Sequence, residues 1–398
     1  MLSVVKHLLH FKPLLAGSCR IHGNATLGLF DVTTILLASF YNPTVRSLRL
    51  IDALSKCRWV QEETGIDRVP RSTLSDNLAK FDPSPLKPLI AELLAKIPTL
   101  KQRDPRLRQV SRQILAADGS EFQLAGEVAW TLLSTRRDGR PLSLARLDLQ
   151  LDVERFCPVE VDISGKDQGF ESNAVAKRIR PGVIYVVDRN YINFNFMNRV
   201  FEADSNLVVR QKKGVGFRIE STGALTESDL AAGVVSDQIG FVGSETPDKS
   251  KARSDAPPTR KLRCVRFNMI GRDGKEQEIE LLTDLLELPA ETIAHLYRLR
   301  WQIELFFRWL KVWARMDHCL SFSAKGLTTQ FYAAIIGTLL LHLHNGRRVS
   351  KYHLFALQLI HSRQATVQDL APWLELIEKE KENERKRLEK KRSQKIGR

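Results

Sequence analysis

Tyr297, Arg300, Glu304 and Lys311 follow one another at spacings of three, four and seven residues. At about 100° per residue, a helix gathers all four within about 60° of arc, and Arg308 falls beside them. The rest of that helix is apolar: Ile303, Leu305, Phe306, Phe307, Trp309 and Leu310. A helix apolar on most sides is buried, so a polar stripe on it must face a cleft, a ligand or other charges. An acid set among Arg and Lys on such a stripe can hold a metal ion beside a phosphate. The same spacing also suits a structural pair, because Arg300 and Arg308 stand four residues either side of Glu304. Trp301 lies at the margin of the stripe, where its ring could stack on a base. Trp309 and Trp313 are expected in the core with Phe306 and Phe307.

Two further acids close strand-like runs. QILAA ends at Asp118-Gly119-Ser120, and GVIYVV ends at Asp188-Arg189-Asn190-Tyr191. Carboxylates from two strand ends and a helix can hold two hard divalent cations, Mg²⁺ or Mn²⁺, which prefer oxygen ligands. Two such ions about 4 Å apart suit phosphoryl transfer, one activating the attacking oxygen and one stabilising the leaving oxygen. Asp148, Asp152 and Asp162 are rival acids. Asp148 and Asp152 share one face of the alternating run LSLARLDLQLDV and are expected as exposed strand residues.

The elements that must position these groups are legible as patterns. GVIYVV is a continuous apolar β-rich run and predicts a central strand covered on both faces. Gly169 to Arg180 and Phe194 to Phe201 predict helices. Pro289 precedes a single long helix from Thr292 to about Ala314. Between residues 206 and 288 lie short strands separated by Gly and Asp turns, with a polar loop at Ser244 to Lys261. Lys212, Lys213, Arg253 and Arg260 lie in this stretch and are expected to be solvated. Upstream, Val45 to Leu54, a Thr64-Gly65 turn and RSTLSDNLAKF after Pro70 suggest a helix-turn-helix reader, with Arg71, Ser72, Ser75, Asn77 and Lys80 as exposed contacts. An ordinary helical bundle fits that segment equally. The resulting division is 1–108 helical, 109–205 α/β, 206–288 β-rich, 289–348 with the long helix, and 349–398 helical and charged.

Composition narrows the partner. The chain has 398 residues with 61 Lys+Arg against 46 Asp+Glu, a net charge of +15. Such a balance points to a polyanion. The excess is uneven: about +7 lies in residues 1–110, about +5 in 378–398 and about +3 between them. Hydrophobic residues at 43% and charged residues at 27% exclude a disordered or collagen-like chain. The most apolar run, Ala333 to Leu341, is too short to span a bilayer, and the N-terminus lacks a cleavage-site pattern, so no membrane association is expected. Five cysteines without a CxxC pair argue against a zinc site and for a reducing cytoplasm.

Tyr-x2-Arg-x3-Glu-x6-Lys at Tyr297, Arg300, Glu304 and Lys311 resembles the signature of bacterial DDE transposases of the insertion-sequence-4 family. Asp118 in AADGS and Asp188 in VVDRNY look like that family's two catalytic aspartates, with Asn190 where the family has Gly. The gaps of 70 and 116 residues fit as well, and the longer one holds the β-rich insertion. The resemblance covers about 110–345. It implies an α/β, RNase H-like core whose first strand bears Asp118, whose fourth bears Asp188 and whose late helix bears Glu304. It further implies a helical N-terminal DNA-binding domain. Asp118, Asp188 and Glu304 would bind two Mg²⁺ or Mn²⁺ ions, while Tyr297, Arg300, Lys311, Arg308 and Trp301 would contact DNA. The implied activity is cut-and-paste transposition: hydrolysis at transposon ends, then attack of the freed 3′-OH on target DNA. The implied partners are double-stranded DNA (terminal inverted repeats and target) and a second copy in a synaptic homodimer, in the bacterial cytoplasm at the nucleoid. A catalytically silent DNA-binding regulator and a structure-specific nuclease are the alternatives.

Overall fold

The computed structural model describes residues 27–40, 42, 45–97, 104–124, 128–135, 139, 141–165, 171–212, 215–243, 256–270, 275–314, 316, 318–346, 349–362 and 364–396. The first 26 residues, Lys213, Arg253 and most of the Ser244–Lys261 loop lie outside them. The chain divides into two compact units, one of residues 1–97 with 308–398 and one of residues 98–307.

Among the described residues, the first unit opens with the helices α1 (Leu29–Phe40), α2 (Leu48–Ser55), α3 (Arg58–Thr64), α4 (Arg71–Lys80) and α5 (Leu86–Lys96). Ser47 caps α2 by accepting from the Leu50 amide, and α3 stops at Gly65, whose φ of 68° suits a residue without a side chain. Arg71, Ser72, Ser75 and Lys80 are exposed on α4, as expected. Asn77 is not: it is buried, with its amide 3.5 Å from the Leu27 carbonyl. It follows Leu74 by three residues and precedes Leu78, so it sits on the packed face of α4.

The second unit is built on one large mixed sheet. Its strands are β1 (Gln113–Leu124), β2 (Leu132–Thr135), β3 (Pro141–Asp152), β4 (Cys157–Ser164), β5 (Val183–Val187), β6 (Asn206–Arg210), β7 (Phe217–Thr222), β8 (Val234–Val242), β9 (Leu262–Ile270) and β10 (Glu276–Thr283). The order is β2-β3-β1-β5-β6-β10-β9-β8-β7, with β4 paired to β3. β1 runs antiparallel to β3 and parallel to β5, and β5 runs parallel to β6. All five residues of β5 are buried, as its unbroken Val/Ile/Tyr run requires of a central strand. β6 and β10 hydrogen-bond to each other, so the β-rich stretch 206–288 continues the same sheet through its first and last strands.

Helices α6 (Glu171–Ala176) and α7 (Phe194–Glu202) cover one face, and Asn193 caps α7 by accepting from Phe196. Tyr191, Phe196, Met197 and Val200 pack there on Leu115, Ala117, Tyr185 and Val187. A short helix, α8 (Glu227–Ala231), leads into β8. α6 is shorter than the predicted helix, ending four residues before Arg180. β3 also departs from expectation. Asp148 and Asp152 are only 4% and 3% exposed, because β3 is flanked by β1 and β4 and contacted by α6.

α9 (Ala290–Leu299) and α10 (Trp301–Arg308) replace the single predicted helix. At Arg300 the ladder tightens to three-residue bonds, Arg300 N to Tyr297 O and Ile303 N to Arg300 O, each 3.1 Å. After Arg308 the chain enters a π-helical turn, Trp309–Trp313. The reckoning of 100° per residue therefore holds within each piece and not across all three. α9 is tethered by His295, whose Nε2 lies 3.0 Å from Asp104 Oδ2.

The first unit is completed by α11 (Ala324–Asn345), α12 (Lys351–His361) and α13 (Val367–Ile396). α11 is 22 residues long, and by length and composition alone it could cross a membrane. Most of it is buried inside this unit against α1, α4 and α5, which is the environment of a core helix. Trp309 is buried as expected and donates from Nε1 to Thr338 Oγ1 on α11 at 3.1 Å.

Candidate active site

The parallel β1–β5 ladder ends at the pair Ala117–Val187, and the next residue of each segment is an aspartate: Asp188 closes β5 as expected, whereas Asp118 lies mid-strand, because β1 runs on to Leu124 against β3. Strand alternation puts Asp118 and Asp188 on the same face as Ala116 and Val186. Asp188 also caps the short turn Arg189–Tyr191 by accepting from the Arg189 amide. Asp188 is thus carried by the fifth strand in chain order, because the short β2 intervenes.

Glu304 arrives from α10. Its Oε1 accepts from Arg300 Nη2 at 2.6 Å, and Arg300 Nη1 lies 3.7 Å from Asp118 Oδ2. The guanidinium thus stands between an acid of the sheet and an acid of the helix. Tyr297 sits beneath it, with the Arg300 carbon 5.7 Å from the ring centre. Tyr297 is buried, edge-on to Phe267, so it supports Arg300 from below.

The electrostatics of Asp118 are those of an under-neutralised acid. Burial first, and the neighbouring charges of Asp188 and Glu304 after it, push its pKa up to about 6. Arg300 and a 2.9 Å bond from the Gly119 amide act in the opposite direction and do not prevail. Both other predicted acids therefore lie close enough to act on Asp118. A fourth acid, absent from the sequence reading, acts here too. Glu171 at the start of α6 is pushed up to about 7 by burial and then by the charge of Asp118. Its only sequence signal is Gly119, whose missing side chain leaves it room: a Cβ there would stand 2.9 Å from Glu171 Oε1.

Asp118, Asp188, Glu304, Arg300 and Tyr297 are thus gathered within the second unit. Trp301 is half-buried on the first turn of α10. Arg308 is exposed at the end of α10, and Lys311 lies in the π-helical turn; both are counted with the other unit. Arg260 is exposed, as expected, but also engaged. It pairs with the buried Asp284 at 3.1 Å and lies 4.5 Å over the Phe201 ring.

The donor set fits a hard divalent cation in kind: carboxylate oxygens, incompletely neutralised, carried by β1, by the end of β5 and by α10. Among the described residues, no three His, Cys, Asp or Glu side chains yet stand close enough to hold one ion. Arg300 supplies the positive charge between Asp118 and Glu304 instead.

A family model described as the transposase DDE domain matches residues 111–340. The chain is 26% identical over 281 residues to a putative transposase, y4zB, of Sinorhizobium fredii, covering 67% of this chain and 74% of that one. It is 28% identical over 165 residues to a probable transposase for insertion sequence element IS5377 of Geobacillus stearothermophilus, covering 40% of this chain and 38% of the relative. Among solved structures, a piggyBac transposase synaptic complex with hairpin DNA aligns over 88% of this chain and 84% of its own at 9% identity, with a TM-score of 0.38.

Proposed function

The chain belongs to the family of the transposase DDE domain, and we propose that it is an insertion-sequence-4-type transposase whose catalytic acids are Asp118, Asp188 and Glu304. The observation that carries this reading is the convergence of the three. Asp118 and Asp188 each follow the last pair of the parallel β1–β5 ladder, Asp118 within β1 and Asp188 just past β5, and Arg300 ties the glutamate of α10 to the first of them. The strand order β4-β3-β1-β5-β6, antiparallel then parallel, supports an RNase H-like core.

In this reading Asp118, Asp188 and Glu304 hold two Mg²⁺ or Mn²⁺ ions. Those ions supply activation of the attacking oxygen and charge stabilisation at the leaving oxygen. Arg300, positioned by Tyr297, exchanges a carboxylate partner for a DNA phosphate, since a guanidinium fork suits both. Lys311, Arg308 and Trp301 contact the same DNA, the first two through phosphate and Trp301 by stacking on a base. The exposed Arg71, Ser72, Ser75 and Lys80 of α4 belong to an N-terminal DNA-binding domain that reads terminal inverted repeats. Two copies act together in a synaptic homodimer at the bacterial nucleoid. The reaction is cut-and-paste: hydrolysis frees a 3′-OH at each end, and that hydroxyl attacks target DNA.

The test uses plasmid DNA carrying the inverted repeats that flank the reading frame. Wild-type protein with Mg²⁺ is expected to cut at the repeat ends and join them to target. Asp188→Asn and Glu304→Gln are expected to bind the ends and cut nothing. Binding without cutting by the wild type would identify a regulator, and cutting without joining a nuclease.

A further inference from the structure

Asp118 faces α9 and α10, so its neighbour Gly119 faces α6 on the other side of the sheet. Gly119 pairs with Asp148 across the β1–β3 ladder. A Cβ at 119 would stand 2.9 Å from Glu171 Oε1 and 3.0 Å from Asp148 Oδ1. Two carboxylates therefore rest against the bare backbone that follows Asp118.

They are not equivalent. Asp148 accepts from Arg146 Nε at 2.8 Å and from the Ser164 hydroxyl. The Glu171 carboxylate has no ion pair and no hydrogen bond among the described residues. α6 contacts the short turn that carries Tyr191, which is fully buried and whose hydroxyl has no hydrogen-bond partner among the described residues. The charges acting on that hydroxyl are those of Asp118, Glu171, Asp148 and Arg146. The β1–β5 ladder has already ended at Ala117, so beyond it the β5 side of β1 has no strand partner. With no side chain at 119, Glu171 comes near enough to β1 for the charge of Asp118 to act on it.

A half-buried carboxylate without a partner and a fully buried orphan hydroxyl are costly unless something joins them. We propose that Glu171 is a fourth carboxylate of the catalytic centre, holding a divalent cation with Asp118 across the gap at Gly119 and oriented by the Tyr191 hydroxyl. A magnesium-type ion needs only one or two carboxylates with several waters, so the pair suffices. The inference rests on the three-acid reading above and adds a ligand to it.

Mn²⁺ binding to the full-length protein, measured by calorimetry and by electron paramagnetic resonance at pH 8, tests it without recourse to activity. Glu171→Gln is expected to weaken Mn²⁺ about tenfold, Tyr191→Phe about threefold, and Asp188→Asn about tenfold. Wild-type affinity in Glu171→Gln together with weakened Asp188→Asn would overturn the role of Glu171 and leave the three-acid reading standing. Wild-type affinity in both would overturn the three-acid reading itself. A measurement on the unaltered protein guards against a misfolded variant. Fe²⁺ with ascorbate and peroxide is expected to cleave the backbone beside Gly119 and Glu171. Scission confined to the neighbourhoods of Asp188 and Glu304 would overturn the proposal.

Discussion

Two acids one residue apart in the β1–β3 ladder have opposite fates. Asp148, on the α6 face, is 4% exposed, paired with an equally buried Arg146 and hydrogen-bonded by the Ser164 hydroxyl within its own sheet, although burial still raises its pKa. Asp118, on the α9–α10 face, has a guanidinium at 3.7 Å that it shares with Glu304, and the like charges of Glu304 and Asp188 nearby. The first arrangement spends its charges on structure. The second leaves negative charge over, as a site awaiting a cation and a phosphodiester would. What separates a structural acid from a chemical one here is the partner count, since both are buried and both sit on strands.

Replacement should separate the two acids cleanly. Asp118→Asn is expected to lower end cleavage by at least about 10³-fold while leaving the thermal midpoint unchanged or raised. Asp148→Asn should do the reverse. It breaks the buried pair with Arg146, costing about 3–5 kcal/mol in urea unfolding, and leaves cleavage per folded molecule near wild type. Equal stability losses in the two variants would erase the distinction.

The pH dependence of stability sharpens it. The folded pKa of Asp118, about 6, lies above the ordinary 3.8. Its contribution is therefore fully present below about pH 4 and is lost as pH rises through about 6. In EDTA, the wild type should lose up to about 3 kcal/mol more than Asp118→Asn between pH 4 and pH 7.5. Parallel urea midpoints for the two proteins across that range would contradict the account.

The smallest effect concerns the pairs themselves. Double-mutant cycles in metal-free protein should give a coupling of about 3 kcal/mol for Arg146–Asp148 and about 1 kcal/mol for Arg300–Asp118. A stronger coupling at Asp118 would mean that Arg300 neutralises it fully.

Much of the centre was readable because strand ends and motif spacings are local. The unbroken run of β5 led to Asp188, and the Tyr-Arg-Glu spacing brought Arg300 and Glu304 together, because both fall within one turn. What failed was set by tertiary cover. LSLARLDLQLDV alternates like a half-exposed strand, yet β1, β4 and α6 bury Asp148 and Asp152. The tightening at Arg300 has no Gly or Pro to announce it, and Lys311, inside a π-helical turn, could not be phased from a straight helix. Asn77 looked like a surface contact because one polar side chain on a packed face gives no periodic sign. Glu171 went unseen because its relation to Asp118 runs through space across Gly119, with no spacing to betray it.

The central claim is that Asp118 holds a metal ion during strand cleavage, and exchanging its oxygen for sulfur tests that most directly. Asp118→Cys should not cleave repeat-end DNA in Mg²⁺, which binds thiolate poorly, and should regain cleavage in Mn²⁺. Undiminished cleavage by Asp118→Cys in Mg²⁺ would contradict the account.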